Sequence, residues 1–263
     1  MASDNHDDVL ISTENKVCLI TINRPKVRNA RDKATNIRMM DAIIDADHDL
    51  AISMIAITGA GDKAFCAGAD LKAARSQFDV AGHVRGPLDH PERTLMEVIL
   101  DTRKPVMAIV NGPAIAGGFE LALSCDLRVA ADTAFFSVPE AKRGRGAHFA
   151  SVVLPQIVPA AIAMEWLFTG RRVPVEEAER WGLINRVVPY AKLMDTAMEL
   201  AADVISSAPL SLQKMKMTSR RAFGLPLHAG LRLDIGPNLY ESEDQEEGVR
   251  AYLEKRKPDW KGR

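Results

Sequence analysis

The sequence predicts an α/β protein with a helical C-terminal region. Short apolar runs closed by turn residues alternate with helical stretches between residues 16 and 188, the pattern of strands exchanging with helices. From Tyr190 onward the periodicity is helical, with breaks at Ala208-Pro209 and Gly224-Leu225-Pro226 and no strand signal. The 263 residues, 47% of them hydrophobic, suffice for one large α/β unit with an appendage. Residues 1–189 therefore read as a core carrying the site, and residues 190–263 as a helical region. Met215, Leu227, Leu231, Leu239 and Tyr240 are available there, either for assembly or as a cover over the core.

The first strand is residues 16–22 (K-V-C-L-I-T-I), ended by Asn23-Arg24-Pro25. A helix follows from Asp32, as cap, to about Leu50, with Ile37, Met40, Ile44 and Ala51 near one face. Residues 54–58 form a second apolar strand closed by Gly59-Ala60-Gly61, and residues 63–70 a short apolar piece opening into a small-residue loop. Residues 73–91 are polar and irregular and read as a mobile surface loop. A helix over 91–100 leads to a buried strand at 106–110. Short strands at 127–130 and 134–138 follow, the second broken by Pro139-Glu140. Helices near 148–155, 159–168 and 175–181 precede a last strand at 183–188.

With 34 basic and 35 acidic residues the net charge is −1, so no basic field is available for nucleic acid. Cys18, Cys66 and Cys125 sit in apolar surroundings without metal-ligand spacing, as reduced core thiols do. The N-terminal M-A-S-D-N-H-D-D is acidic where a secretory signal is basic and then apolar. No apolar run approaches the roughly eighteen residues that span a membrane. The expectation is a soluble cytoplasmic protein without metal, membrane or nucleic-acid partners. His48, His83, His90 and His228 stand at no catalytic or ligand spacing and read as solvated or structural.

The chain is organised around residues 104–126, K-P-V-M-A-I-V-N-G-P-A-I-A-G-G-F-E-L-A-L-S-C-D. A buried strand runs into the turn Asn111-Gly112, and a helix starting near Gly117 is apolar on almost every side. Glu120 lies inside it. A buried carboxylate costs several kcal/mol unless paired, bonded or protonated, so Glu120 is either a functional acid or base or a first-turn charge favoured by the helix dipole. Gly117-Gly118 favours function, because glycines let a ligand approach and the first amides of the helix have no partner within it.

Three motifs in order resemble the enoyl-CoA hydratase/isomerase (crotonase) family: F-C-A-G-A-D at 65–70, N-G-P-A-I-A-G-G-F-E-L-A-L-S-C-D at 111–126 and F-S-V-P-E at 136–140. The likeness continues through L-F-T-G-R, W-G-L-I-N-R-V-V-P and the terminal Y-L-E-K-R-K-P-D-W, covering nearly the whole chain. It implies a spiral of ββα units followed by helices that assemble trimers, often paired into hexamers. It also implies an oxyanion hole from the amides of Ala69 and Gly117 for an acyl-CoA thioester. The segment Ala67, Asp70, Leu71 and Lys72 would lie along CoA, and Tyr252 and Lys255 would reach a neighbouring subunit's CoA. Losing one such oxyanion donor typically costs about 2.7–4 kcal/mol of barrier.

Glutamates at both Glu120 and Glu140 resemble the hydratase subset. Water addition needs a base for water and an acid for the α-carbon, and this pair would serve both on a trans-2-enoyl-CoA, without metal or redox cofactor and with CoA as part of the substrate. Two features depart from the family pattern. Ala116 stands where a third glycine is common, and A-K-R-G-R-G-A-H-F follows Glu140 in place of an apolar, glycine-rich run. Arg143, Arg145 and His148 either point to solvent or a subunit boundary or line the acyl pocket, the latter fitting a polar or carboxylated acyl group or, through His148, isomerisation or thioester or C–C bond hydrolysis. A Δ3-Δ2-enoyl-CoA isomerase, an acyl-CoA hydrolase using His148, and a non-catalytic oligomeric CoA-binding homologue stay open. Asp70 reads as a cap for the residues after it, beside its place along CoA.

Overall fold

The computed structural model describes residues 8–70 and 93–263. Its main sheet orders β1 (Val9–Glu14), β2 (Val17–Ile22), β3 (Met54–Gly59), β4 (Val106–Val110), β6 (Leu127–Ala131) and β9 (Arg186–Val188). β1 pairs antiparallel with β2, and the remaining neighbours are parallel, in registers that include Val17↔Met54, Ile55↔Val106 and Met107↔Leu127. Every residue of β3 and β4 is buried, because parallel strands covered on both faces read as unbroken apolar runs. A smaller sheet joins β5 (Ala114–Ile115), β7 (Phe135–Ser137) and β8 (Val173–Pro174).

Alternate strand residues feed two cores. Ile55, Ile57, Val106 and Ala108 pack with Met39 and Ile43 of α1 (Lys33–His48), Ile99 of α2 (Leu95–Asp101) and Phe119 of α3 (Gly117–Ser124). On the other face Met54, Ala56, Met107 and Ile109 meet Leu193, Ala197 and Ala201 of α7 (Leu193–Ile205). The helical stretch after residue 190 thus begins as a layer of the core. Between these lie α4 (His148–Ile157), α5 (Ala160–Thr169) and α6 (Val175–Arg180). The chain ends through α8 (Pro209–Ala222), α9 (Leu227–Gly230) and α10 (Glu243–Leu253). One carboxylate fastens α8 to the core: Asp126 accepts from Val106 N at 2.8 Å and meets Lys216 Nζ at 2.7 Å and Arg220 Nη2 at 2.6 Å.

Several elements differ from expectation. β1 is an unforeseen edge strand; five of its six residues are exposed, and its hairpin turn is Asn15-Lys16, both at positive φ (49° and 65°). That is the mirror-turn geometry, with Lys where Gly usually marks it. In α1 the buried stripe is Thr35, Met39, Ala42, Ile43 and Ala46, whereas Ile37 and Ile44 are 42% and 40% exposed. The helix carries two apolar stripes, and the one with small alanines seats against the sheet. Asp32 does cap it, accepting from Thr35 N at 2.8 Å. The last strand is confined to 186–188, since Leu183 and Ile184 turn into the core instead. The three cysteines are free and buried. The expected loop at 73–91 lies outside the described residues, and no helix among those described is long and apolar enough to cross a membrane.

Candidate active site

The site grows from two chain segments that meet beside β5. The amides of Phe65 and Cys66 donate to Pro113 O at 3.1 and 3.3 Å, and Ile115 N returns a bond to Cys66 O at 3.0 Å. On its other side the same segment pairs with Arg31: Arg31 N donates to Gly68 O and Asp70 N to Arg31 O, both at 2.8 Å. These bonds flank Ala69, which is exposed, and its own amide has no acceptor among the described residues. Gly117 opens α3, and its amide likewise has none, as the first turn of a helix dictates. A Cβ on Gly68 would lie 3.1 Å from Gly117 N, and one on Gly117 would lie 3.9 Å from Ala69 N. The two unbonded amides adjoin one small space.

Local geometry explains the small residues here. A Cβ on Gly118 would fall 1.9 Å from Cys66 O, so only glycine permits this approach. Ala116 holds φ 55° and ψ −128°, a conformation costing a residue with a Cβ about 1–3 kcal/mol. Its amide is fixed by Ser137 O at 2.9 Å, and its carbonyl receives Phe119 N and Glu120 N. Ala116→Gly should therefore raise stability by about 1 kcal/mol after glycine's own entropic cost. Denaturant unfolding of the variant beside wild type checks this.

Glu120 projects from α3 toward the start of α4, where its Oε1 accepts from Ala150 N at 3.1 Å. α4 has no side-chain cap from its own N-cap residue, Ala147, so this carboxylate takes that place at the positive end of the helix. Glu140 sits in the 3-10 turn Pro139–Arg143 that ends the strand leaving β7. Its Oε2 is buried and bonded to nothing described. Burial, reinforced by the charge of Glu120, holds the Glu140 carboxyl above the ordinary glutamate range against the pull of Arg143 and Arg145. The two acids thus lie within electrostatic reach of each other, one bonded to a main-chain amide and the other without a partner at its buried Oε2.

Glu140 lines a cavity of about 350 Å³ with Val138, Arg145, Ala147, Met164 and Leu167. Arg143 and His148 are exposed and are not among its lining residues. Ala67 donates to Arg28 O at 3.0 Å, and Asp70 meets Arg24 Nη2 at 3.3 Å. Leu71 and Lys72 lie outside the described residues, and with them any cap made by Asp70. Tyr252 is 82% exposed, and Lys255 stands at φ 54° just past α10. Sequence reasoning missed Arg31: 5% exposed, it donates through Nη2 to Gly117 O at 2.9 Å and through Nη1 to Asn36 Oδ1 at 2.7 Å. A charge next to a helix cap reads as solvated, and nothing local reveals its burial.

The enoyl-CoA hydratase/isomerase family model matches residues 12–263. Carnitinyl-CoA dehydratase of Citrobacter koseri is 43% identical over 251 residues, covering 93% of this chain and 94% of that protein. Among solved structures, enoyl-CoA hydratase of Mycobacterium tuberculosis aligns with a TM-score of 0.87 at 34% identity, covering 98% of this chain and 100% of that one. Enoyl-CoA hydratase of Bacillus anthracis aligns with a TM-score of 0.87 at 30% identity, covering 97% and 100%.

Proposed function

Since the chain belongs to the enoyl-CoA hydratase/isomerase family and has the crotonase fold, we propose that it is a hydro-lyase interconverting a trans-2-enoyl-CoA and a 3-hydroxyacyl-CoA. The thioester oxygen would sit between the amides of Ala69 and Gly117. Glu120 would take a proton from water as the water oxygen bonds to C3. The π electrons move onto the thioester oxygen as an enolate, and Glu140 passes its proton to C2 as the carbonyl re-forms. Elimination runs the same path backward. The observation that carries this reading is the geometry of the two carboxylates, Glu120 accepting a main-chain N–H from Ala150 and Glu140 lining the cavity with a buried, unbonded Oε2, since addition needs one base and one acid. CoA enters as part of the substrate. Residues 190–263 would supply subunit contacts in a trimer or a dimer of trimers, through side chains such as Leu227, Leu231 and Tyr240, which are 72%, 74% and 87% exposed.

A second reading, dehydration of carnitinyl-CoA, draws on the 43% identical relative. Against it, the cationic acyl end of carnitine would share the cavity with Arg145. A neutral enoyl group meets no such repulsion. Loss of the conjugated enoyl-thioester absorbance with crotonyl-CoA, run beside carnitinyl-CoA and a carboxylated enoyl-CoA, separates the readings. Crotonyl-CoA should react fastest; turnover of carnitinyl-CoA alone would select the second, and no hydration of any would dismiss both. Release of free CoA thiol would mark a hydrolase, and migration of a 3,4-double bond an isomerase.

Hydration needs Glu140 protonated, so kcat/KM should fall as pH rises through its elevated pKa. Arg145 opposes that elevation. Arg145→Gln should therefore move the alkaline limb of the kcat/KM profile to higher pH, and a move to lower pH would contradict the assignment of acid and base.

A further inference from the structure

We propose that Arg31 is a positioning residue of the oxyanion site, gripping both of its main-chain donors and setting a fixed positive charge beside the oxygen that becomes negative. This rests on the reading above that places the thioester oxygen between Ala69 and Gly117. Arg31 is 5% exposed, and a buried cation is expensive unless it is paired. Among the described residues its side chain bonds only an amide oxygen and a main-chain carbonyl, Asn36 Oδ1 and Gly117 O, and its Nε is buried without an acceptor. The contrast with Arg24 is direct: that guanidinium meets Asp8, Asp32 and Asp70 at 3.0–3.3 Å. Among the described residues, acids meet one arginine and none meets the other, seven positions on.

What Arg31 does hold is the oxyanion frame. Its main chain bonds Gly68 O and Asp70 N on either side of Ala69, and its Nη2 bonds Gly117 O at 2.9 Å. That nitrogen would stand 3.3 Å from a Cβ placed on Gly117, on the side of Gly117 where Ala69 N lies 3.9 Å from the same point. Dipoles and charges fixed in advance around a developing charge lower the barrier without reorganisation. A counter-charge that appears only when the enolate forms gives a reason for leaving the guanidinium without an acid.

The test uses the full chain with Arg31→Met, which keeps an unbranched apolar stem and loses the charge, and Arg31→Lys, which keeps charge and loses the fork. Bound 4-dimethylaminocinnamoyl-CoA reports on the oxygen directly, because its absorbance moves to the red as the thioester carbonyl is polarised. Wild type should show the shift, and Arg31→Met should lose most of it. In that variant kcat should fall about 100-fold with KM changed less than about 3-fold, as for loss of one oxyanion donor. Arg31→Lys should keep most of the shift and recover at least about 10-fold of the lost kcat. An unchanged shift in Arg31→Met while wild type shows it overturns the role of Arg31 alone. So does equal loss in both variants in step with a lowered Tm, the mark of a merely structural arginine. No shift in wild type removes the oxyanion assignment at Ala69 and Gly117 and this inference with it.

Discussion

Replacing Glu120 or Glu140 by Gln is expected to lower kcat for hydration of crotonyl-CoA by about 10²–10⁴-fold, with KM changed less than about 3-fold. Gln keeps the size of the side chain and removes its ability to take or give the proton. In Glu120→Gln the amide oxygen can still accept from Ala150 N, so the start of α4 should hold and the loss should be chemical. In Glu140→Gln the side chain can no longer pass a proton to C2, the step proposed for it. A linkage effect tells this apart from unfolding. Because the folded-state pKa of Glu140 is raised, its carboxyl adds stability below the ordinary glutamate pKa that is lost as pH rises through the folded value. Glu140→Gln should flatten that part of the stability profile while remaining folded. Two single variants that hydrate normally would contradict the roles given to the pair.

The second large effect is structural and reaches the chemistry through the backbone. Gly118→Ala places a methyl 1.9 Å from Cys66 O and 2.6 Å from Cys66 C, main-chain atoms that no rotamer change can move aside. The expected cost is about 3 kcal/mol, the upper part of the range for overpacking. That amounts to a fall in Tm of roughly 6–12 °C for a chain of this size. Relief requires α3 to move away from the Cys66 segment, which parts Gly117 from Ala69. Hydration activity should therefore drop even at temperatures where the variant stays folded. Thermal unfolding by circular dichroism, beside the hydration assay, checks both. A Tm within about 1 °C of wild type would mean that the contact is looser than described.

How far the sequence spoke for itself follows from what each element touches. β3 and β4 are buried on both faces, so M-I-A-I-T and V-M-A-I-V announce themselves without alternation. β1 exposes almost everything and turns on Asn15-Lys16, so neither hydropathy nor turn chemistry betrays it. In α1 two stripes fit the helical period, and only the sheet decides between them. Gly117, Glu120 and Glu140, whose roles are proposals, lie in short motifs of small and apolar residues, among which a glycine pair and half-buried acids stand out. Arg31 does not, since its burial arises when three distant segments, those of Arg31, Ala69 and Gly117, close on one another.

Hydration of crotonyl-CoA in deuterium oxide, with the product read by nuclear magnetic resonance, bears most directly on two acids acting from one side of the substrate. Glu120 and Glu140 working through the same space should place one deuterium on C2, on the face that receives the new hydroxyl at C3. Deuterium on the opposite face, or a product without deuterium at C2, would contradict that arrangement.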